Sequence, residues 1–218
     1  PILSKAKDNP VRLKSAYRKI IMASSYVIFP LVIGLGTLAE PFVLTLVGQK
    51  WIGVVPFVQI LCLSGALYHL SSINLNILQV MGRSDLFLKL EVIKKVNITI
   101  AVIIGIQFGI WGLMIGQVIS SYLALLINMY YTNKFLDYNY KEQFKDISPI
   151  IGYTLPMLGF LIVLQMFTNF TAILELITGV ILGVIVYFGT TYLAKSTALT
   201  YIVELLGNKF TFLKKLNI

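Results

Sequence analysis

Charged side chains cluster in one short stretch of this chain, QVMGRSDLFLKLEVIKK at 79–95, between two long apolar runs. The stretch contains four basic and two acidic residues: Arg83, Lys89, Lys94, Lys95, Asp85 and Glu91. Basic side chains can bind a phosphate group, and Arg is well suited because its guanidinium presents a rigid fork of donors. Glu91 precedes the two adjacent lysines by three and four residues, so local ion pairs are also possible on a helix. Arg83, Lys94 and Lys95 are therefore candidate ligands for a phosphate group.

A second set of residues, mostly polar, recurs at intervals of three or four along the preceding apolar run. The set comprises Cys62, Gly65, His69, Ser72, Asn76 and Gln79. This spacing places all of them on one face of an α-helix. Two interpretations remain open: the face lines a cavity that hydrogen-bonds a polar cargo, or it hydrogen-bonds neighbouring helices. His69 could titrate near neutral pH, although a packed histidine is the alternative.

The composition indicates a membrane protein. Hydrophobic residues make up 57% of the 218 residues and charged residues only 12%, whereas soluble domains average about 45–50% and about 25%. The net charge is +9, but the basic residues lie in short segments between apolar runs. That distribution does not favour a nucleic-acid-binding surface.

Six apolar runs are long enough to cross a bilayer, which takes about 20 mostly apolar residues in a helix. They cover residues 20–47, 54–81, 90–109, 111–131, 147–168 and 172–194. Backbone groups in lipid must be hydrogen-bonded within the protein, and no strand-like alternation is present. The sequence therefore predicts an all-α membrane protein with six transmembrane helices. A basic segment at 1–19 precedes the transmembrane region at 20–194, and a basic tail at 195–218 follows it.

The distribution of basic residues predicts the orientation. Of the 18 Lys and Arg residues, all but Lys50 lie on one side of the predicted spans. Because positive charge concentrates on the cytoplasmic side, both ends of the chain are predicted to be cytoplasmic and 79–95 to be a cytoplasmic hairpin. Trp51 and Trp111 then fall at the outer interface, where tryptophan is enriched.

Lys94 and Lys95 begin the third predicted span, and their role is open at this point. Their side chains could extend to the inner interface and meet anionic lipid headgroups. Alternatively, they form a cationic surface for a phosphate-bearing lipid, which Arg83 could also contact.

Glu40 lies inside the first predicted span, near its outer end. It is a candidate ion-coupling carboxylate, with simple placement at the interface as the alternative. The first and fifth spans also contain Pro30, Pro41, Pro149 and Pro156. Proline removes a backbone donor and kinks helices, and interrupted helices are common in transporters.

Catalytic and metal-binding patterns are missing from the sequence. A single cysteine allows no disulfide within the chain, and a single histidine allows no paired-histidine metal motif. We find no nucleophile beside a base and no phosphate-cradling glycine loop. The sequence therefore predicts a protein that is not an enzyme and has no cofactor.

Two phrases resemble a known family. FPLVIGLGTLAEPFVLTLVGQKW at 29–51 and ILQVMGRSDLFLKLEVIKK at 77–95 are similar to the C-terminal half of Wzx-like polysaccharide (O-antigen type) flippases. These flippases are a branch of the multidrug/oligosaccharidyl-lipid/polysaccharide exporter superfamily. The resemblance implies a fourteen-helix, two-lobed transporter fold of which this chain supplies the last six helices. We accordingly expect the chain, which begins without Met, to need an N-terminal lobe of the same protein as its partner.

The resemblance also implies a cargo and a mechanism. The cargo would be an oligosaccharide on polyprenyl pyrophosphate, moved by alternating access across the bacterial inner membrane for O-antigen or lipopolysaccharide biosynthesis. Lys94, Lys95 and Arg83 would supply positive charge to its pyrophosphate. The alternatives are a multidrug or cation exporter of the same superfamily, a membrane-embedded enzyme of glycan assembly, and a structural subunit without cargo.

Overall fold

The computed structural model describes residues 9–168 and 170–203, and this part of the chain is helical without any strand. Its helices are α1 (Pro10–Thr37), α2 (Ala39–Leu46), α3 (Val55–Val80), α4 (Ser84–Gly105), α5 (Gly109–Leu136), α6 (Tyr140–Phe167) and α7 (Ala172–Leu193). Two 3-10 turns, Gln49–Val54 and Ile106–Phe108, precede α3 and α5. The structure confirms the predicted all-α membrane protein. Residues 1–8 of the basic segment and 204–218 of the basic tail lie outside the described residues.

The number of spans agrees with the prediction. Within the described residues, five stretches are long and apolar enough to cross a membrane, and one of them, 84–136, contains both α4 and α5. Six long helices therefore correspond to the six predicted spans. The third begins at Ser84 instead of residue 90, because a tight turn ends α3: Gly82 adopts φ 71° and the Arg83 N–H donates to the Leu78 carbonyl. With 22 residues, α4 is about 33 Å long.

The first predicted span is divided into two helices. α1 ends at Thr37, Leu38 lies between the helices, and α2 begins at Ala39. Pro41 has no N–H to donate to the Thr37 carbonyl, which would be its partner in a continuous helix. The Gln165 amide of α6 donates to that carbonyl over 3.2 Å. The interhelical hydrogen bond thus satisfies the backbone group that the proline leaves free.

Pro30 is accommodated within α1 by a similar contact. The ring removes the donor that would pair with the Tyr26 carbonyl, yet the helix continues past it. The Tyr187 hydroxyl of α7 donates to the Tyr26 carbonyl over 2.8 Å. Proline in this bundle therefore creates a point of attachment between helices.

The helices pack in the order α4, α5, α3, α1, α6 and α7, with α2 against α7. Short polar side chains hold α3 against α5, which share the most extensive interface among the described helices. Their hydrogen bonds join Ser64 to Ser121, Ser71 to Asn128, and Thr132 to Asn74. Small and polar residues at the interface are typical of helices that associate in lipid. Among the described residues, exposed large apolar side chains outnumber the fully buried ones, as a lipid environment permits.

The described parts of the basic segments meet at one end of the bundle. Arg18 forms two hydrogen bonds of 2.7 Å to the Asp146 carboxylate, which also accepts one from Tyr138. Burial and this carboxylate raise the pKa of the Tyr138 hydroxyl, so it stays a donor at neutral pH. Lys19 lies 5.1 Å from the ring centre of Tyr201, which joins the start of the tail to the same end.

The opposite end carries both tryptophan-bearing turns. The rings of Phe57 and Trp111 lie 4.9 Å apart between the start of α3 and the start of α5. The predicted orientation requires Trp111 to lie at the end away from the basic contacts, as it does here. The assignment of the basic end to the cytoplasm remains a prediction.

Candidate functional site

A cavity of about 340 Å³ lies between α3, α4 and α5. Its polar lining consists of Tyr68, Ser71, Ser72, Asn76, Glu91, Lys94, Lys95, Gln117, Ser120 and Ser121. We call it the polar cavity. The early start of α4 at Ser84 puts Lys94 and Lys95 at the middle of that helix. Charges at this depth are costly in lipid, so they must face protein or water.

The two lysines differ in their surroundings. Lys94 forms an ion pair with Glu91, and their side chains are 15% and 33% exposed. Lys95 is exposed and forms no ion pair within the described part of the chain. Glu91 therefore neutralises one lysine, and the charged lining carries a net positive charge from the other. The cavity is suited to an anion.

The wall opposite the lysines comes partly from α5, which the sequence argument overlooked. Gln117 and Ser120 of α5 line the cavity together with Ser72 and Asn76 of α3. The sequence does contain a signal for this polar face, because Gln117, Ser120 and Ser121 interrupt an apolar run at helical spacing. Which face they occupy depends on the pairing of α5 with α3, and that is a tertiary contact.

Among the polar side chains that line the cavity, Ser120 is buried and has no hydrogen-bond partner in the described part of the chain. Its side chain is 4% exposed, and its hydroxyl has no hydrogen-bond partner among the described residues. By contrast, the neighbouring Ser121 hydroxyl bonds to Ser64 over 2.8 Å. An unpaired buried hydroxyl is unfavourable, so a hydrogen bond from a ligand to Ser120 would be favourable.

The predicted polar face of α3 is divided between two surroundings. Ser72 and Asn76 line the polar cavity, but His69 and Gln79 are not part of its lining. His69 is half-buried, and its Nε2 atom has no partner among the described residues. Cys62 packs beside Gly36 of α1. A face that repeats every 3.5 residues drifts around the helix, so its two ends meet different neighbours.

Arg83 lies away from the polar cavity, in the turn before α4. Its guanidinium binds Asp85 through two hydrogen bonds of 3.0 and 2.8 Å. The hydrogen bonds raise the pKa of Arg83 above its ordinary value. The guanidinium also lies 5.7 Å from the ring centre of Phe135. The structure therefore does not bring Arg83 together with Lys94 and Lys95.

Glu40 is also distant from the lysines in the arrangement of helices. It lies in the first turn of α2 with its side chain exposed, and α2 packs against α7 at the far side of the bundle from α4. Glu91 is the carboxylate that lines the polar cavity. An ion-coupling role for Glu40 remains a prediction.

Comparison with known sequences gives consistent matches. A family model described as a polysaccharide biosynthesis protein matches residues 1–56. An uncharacterized membrane protein in the cps region of Klebsiella pneumoniae is 26% identical over 216 residues, which are 91% of this chain and 41% of that protein. The matches confirm the resemblance to Wzx-like polysaccharide proteins.

Two further relatives carry names from polysaccharide biosynthesis. The lipopolysaccharide biosynthesis protein WzxC of Escherichia coli K12 is 27% identical over 132 residues, covering 58% of this chain and 27% of WzxC. The teichuronic acid biosynthesis protein TuaB of Bacillus subtilis 168 is 31% identical over 86 residues, covering 39% of this chain and 18% of TuaB. The chain thus spans less than half the length of these curated relatives. No solved structure matches it.

Proposed function

We propose that the full-length protein is a flippase for lipid-linked oligosaccharides in the bacterial inner membrane. It moves polyprenyl-pyrophosphate-linked repeat units from the inner to the outer leaflet by alternating access, for surface polysaccharide biosynthesis. The observation that carries this proposal is the net positive polar cavity at the middle of α4, inside an otherwise apolar helix bundle.

The electrostatics favour an anionic cargo. A pyrophosphate that enters the bilayer loses its water and needs compensating positive charge. Lys95 supplies an unpaired charge, and Lys94 supplies a second whenever the anion displaces Glu91. The remaining polar groups of the cavity supply hydrogen bonds that would otherwise come from water.

The names of the relatives support the same class of cargo. WzxC is named for lipopolysaccharide and TuaB for teichuronic acid, so similar sequences serve chemically different glycans. We infer that what the proteins share is transfer of a lipid-linked glycan. A cation exporter fits less well, because a net positive cavity repels a cationic drug.

The test is depletion of the full-length protein in its native cell, followed by measurement of polyprenyl-linked oligosaccharide in each leaflet. Finished repeat units should accumulate on the cytoplasmic leaflet. Wild-type protein should restore the distribution, and the Lys94→Gln/Lys95→Gln double variant should restore it about tenfold less efficiently, because charged hydrogen bonds to the anion are lost.

Lys89→Gln is the control for this experiment, to be compared also with the Lys95→Gln single variant, whose charge change it matches. It removes one positive charge from the same helix, but Lys89 is exposed and lies outside the cavity lining. It should restore the distribution like wild type. An unchanged leaflet distribution after depletion, together with altered sensitivity to cationic drugs, would contradict the flippase proposal.

A further inference from the structure

The polar cavity has two chemically different walls. The cationic wall consists of Lys94 and Lys95 on α4. The hydroxyl–amide wall consists of Ser72 and Asn76 on α3 and Gln117 and Ser120 on α5. The hydroxyl–amide wall carries no charge, so it adds nothing to the binding of a phosphate beyond neutral hydrogen bonds.

The groups of the hydroxyl–amide wall match the chemistry of a sugar ring. Each amide offers two donors and an acceptor, and each serine hydroxyl can donate or accept. A sugar hydroxyl has the same dual capacity, so it can pair with either kind of group. Tyr68, which is 68% exposed, adds an aromatic side chain to the lining of the cavity.

Ser120 provides the independent sign that this wall is built for a ligand. Its hydroxyl is nearly inaccessible, lines the cavity and lacks a partner within the described residues. At the same interface Ser64 and Ser121 bond to each other, and Asn74 and Asn128 donate through their amide groups while their Oδ1 atoms lack a partner among the described residues. Native proteins rarely leave such a group unpaired, so an unpaired one requires an explanation.

We propose that the hydroxyl–amide wall is a subsite for the sugar residue attached to the pyrophosphate. This inference rests on the proposed function. The cationic wall holds the pyrophosphate, and the opposite wall hydrogen-bonds the first sugar. A volume of about 340 Å³ is at the small end of ligand sites, which span about 300–1,000 Å³. The cavity therefore takes the first part of the cargo and leaves the outer sugars outside.

The test compares the binding of two lipids to the purified full-length protein in detergent. One probe is polyprenyl pyrophosphate, and the other is the same lipid carrying the native oligosaccharide. Gln117→Leu and Ser120→Ala should each weaken binding of the glycosylated lipid about threefold to tenfold. Neither should change the affinity for the sugar-free lipid, whereas Lys94→Gln/Lys95→Gln should weaken binding of both.

Two controls separate a sugar subsite from a structural role. Leu126→Met, on an exposed position of α5, should change neither affinity. Ser120→Ala should leave the thermal stability of the protein unchanged or raised, because it removes an unpaired hydroxyl. A loss of stability in this variant would indicate a structural role and overturn the subsite.

The remaining outcomes are also decisive. Equal losses for the two lipids, or no loss for either, would overturn the sugar subsite while leaving the flippase proposal intact. If the wild-type protein bound neither lipid more tightly than polyprenyl alcohol, the proposed function itself would fail.

Discussion

Lys94 and Lys95 are neighbours in the chain, but the fold places them in different surroundings. Lys94 is paired with Glu91 and mostly buried, whereas Lys95 is exposed and forms no ion pair among the described residues. An anion that entered the cavity as proposed would compete with the Glu91 carboxylate for Lys94, and that carboxylate would also repel it. At the scale of single residues, we therefore expect Glu91 to limit how tightly the cavity holds an anion.

Replacing this carboxylate tests the competition. Glu91→Gln should tighten the binding of polyprenyl pyrophosphate to the purified full-length protein, by about threefold to tenfold, because it frees Lys94 and removes a repulsive charge. Asp85→Asn is the control, since it makes the same charge change on the same helix but acts on Arg83, outside the cavity. Weaker binding by Glu91→Gln would mean that Glu91 positions Lys94 for the anion.

At the scale of helices, proline and polar side chains determine how α1 is held. Pro30 and Pro41 leave two carbonyls of α1, those of Tyr26 and Thr37, without a backbone donor. These carbonyls accept hydrogen bonds from side chains of α7 and α6 instead. A helix without proline would have satisfied both groups internally, so each neighbouring helix gains a specific contact because proline is present. The contacts tie α6 and α7 to α1.

A double-mutant cycle measures one of these attachments. Tyr187→Phe should lower the unfolding free energy by about 1 kcal/mol, because the Tyr26 carbonyl loses its donor. The same change in a Pro30→Ala background should have little effect, since the restored N–H of residue 30 can pair with that carbonyl. Thermal unfolding of the full-length protein in detergent provides the measurement, with Tyr192→Phe on an exposed position of α7 as the control. Equal losses in both backgrounds would contradict this account.

At the scale of the whole molecule, the described basic contacts lie at one end and the aromatic contact of α3 and α5 at the other. In a membrane, this polarity should orient the bundle with the basic end in the cytoplasm. The polar cavity then lies between the two faces, where the headgroup of the proposed cargo would have to pass.

The orientation is testable by thiol labelling of the full-length protein in intact cells, in a cysteine-free background that includes Cys62→Ser. A cysteine at Lys134, which is exposed near the end of α5, should react with a membrane-impermeant reagent only after the cells are opened. A cysteine at Gly53, which has open space around it, should react in intact cells. The reverse pattern would show that the basic end faces outward.

The sequence by itself determined that this chain forms long membrane helices, and approximately where they lie. Hydrophobicity over about 20 residues and the placement of basic residues are properties of contiguous segments, so they need no knowledge of contacts. The six spans and the all-α fold follow from such properties. The family resemblance also came from contiguous motifs, at 29–51 and 77–95.

Only the tertiary structure decided which polar residues share a cavity. Ser72 and Asn76 line the same cavity as Lys94 and Lys95. Arg83 pairs with Asp85 instead. His69 and Gln79 lie outside the lining. Gln117 and Ser120 enter from α5 because short polar contacts fix that helix against α3. A side chain's neighbours in a bundle depend on where its helix starts and how the helix is rotated. Both are set by contacts between residues far apart in the chain.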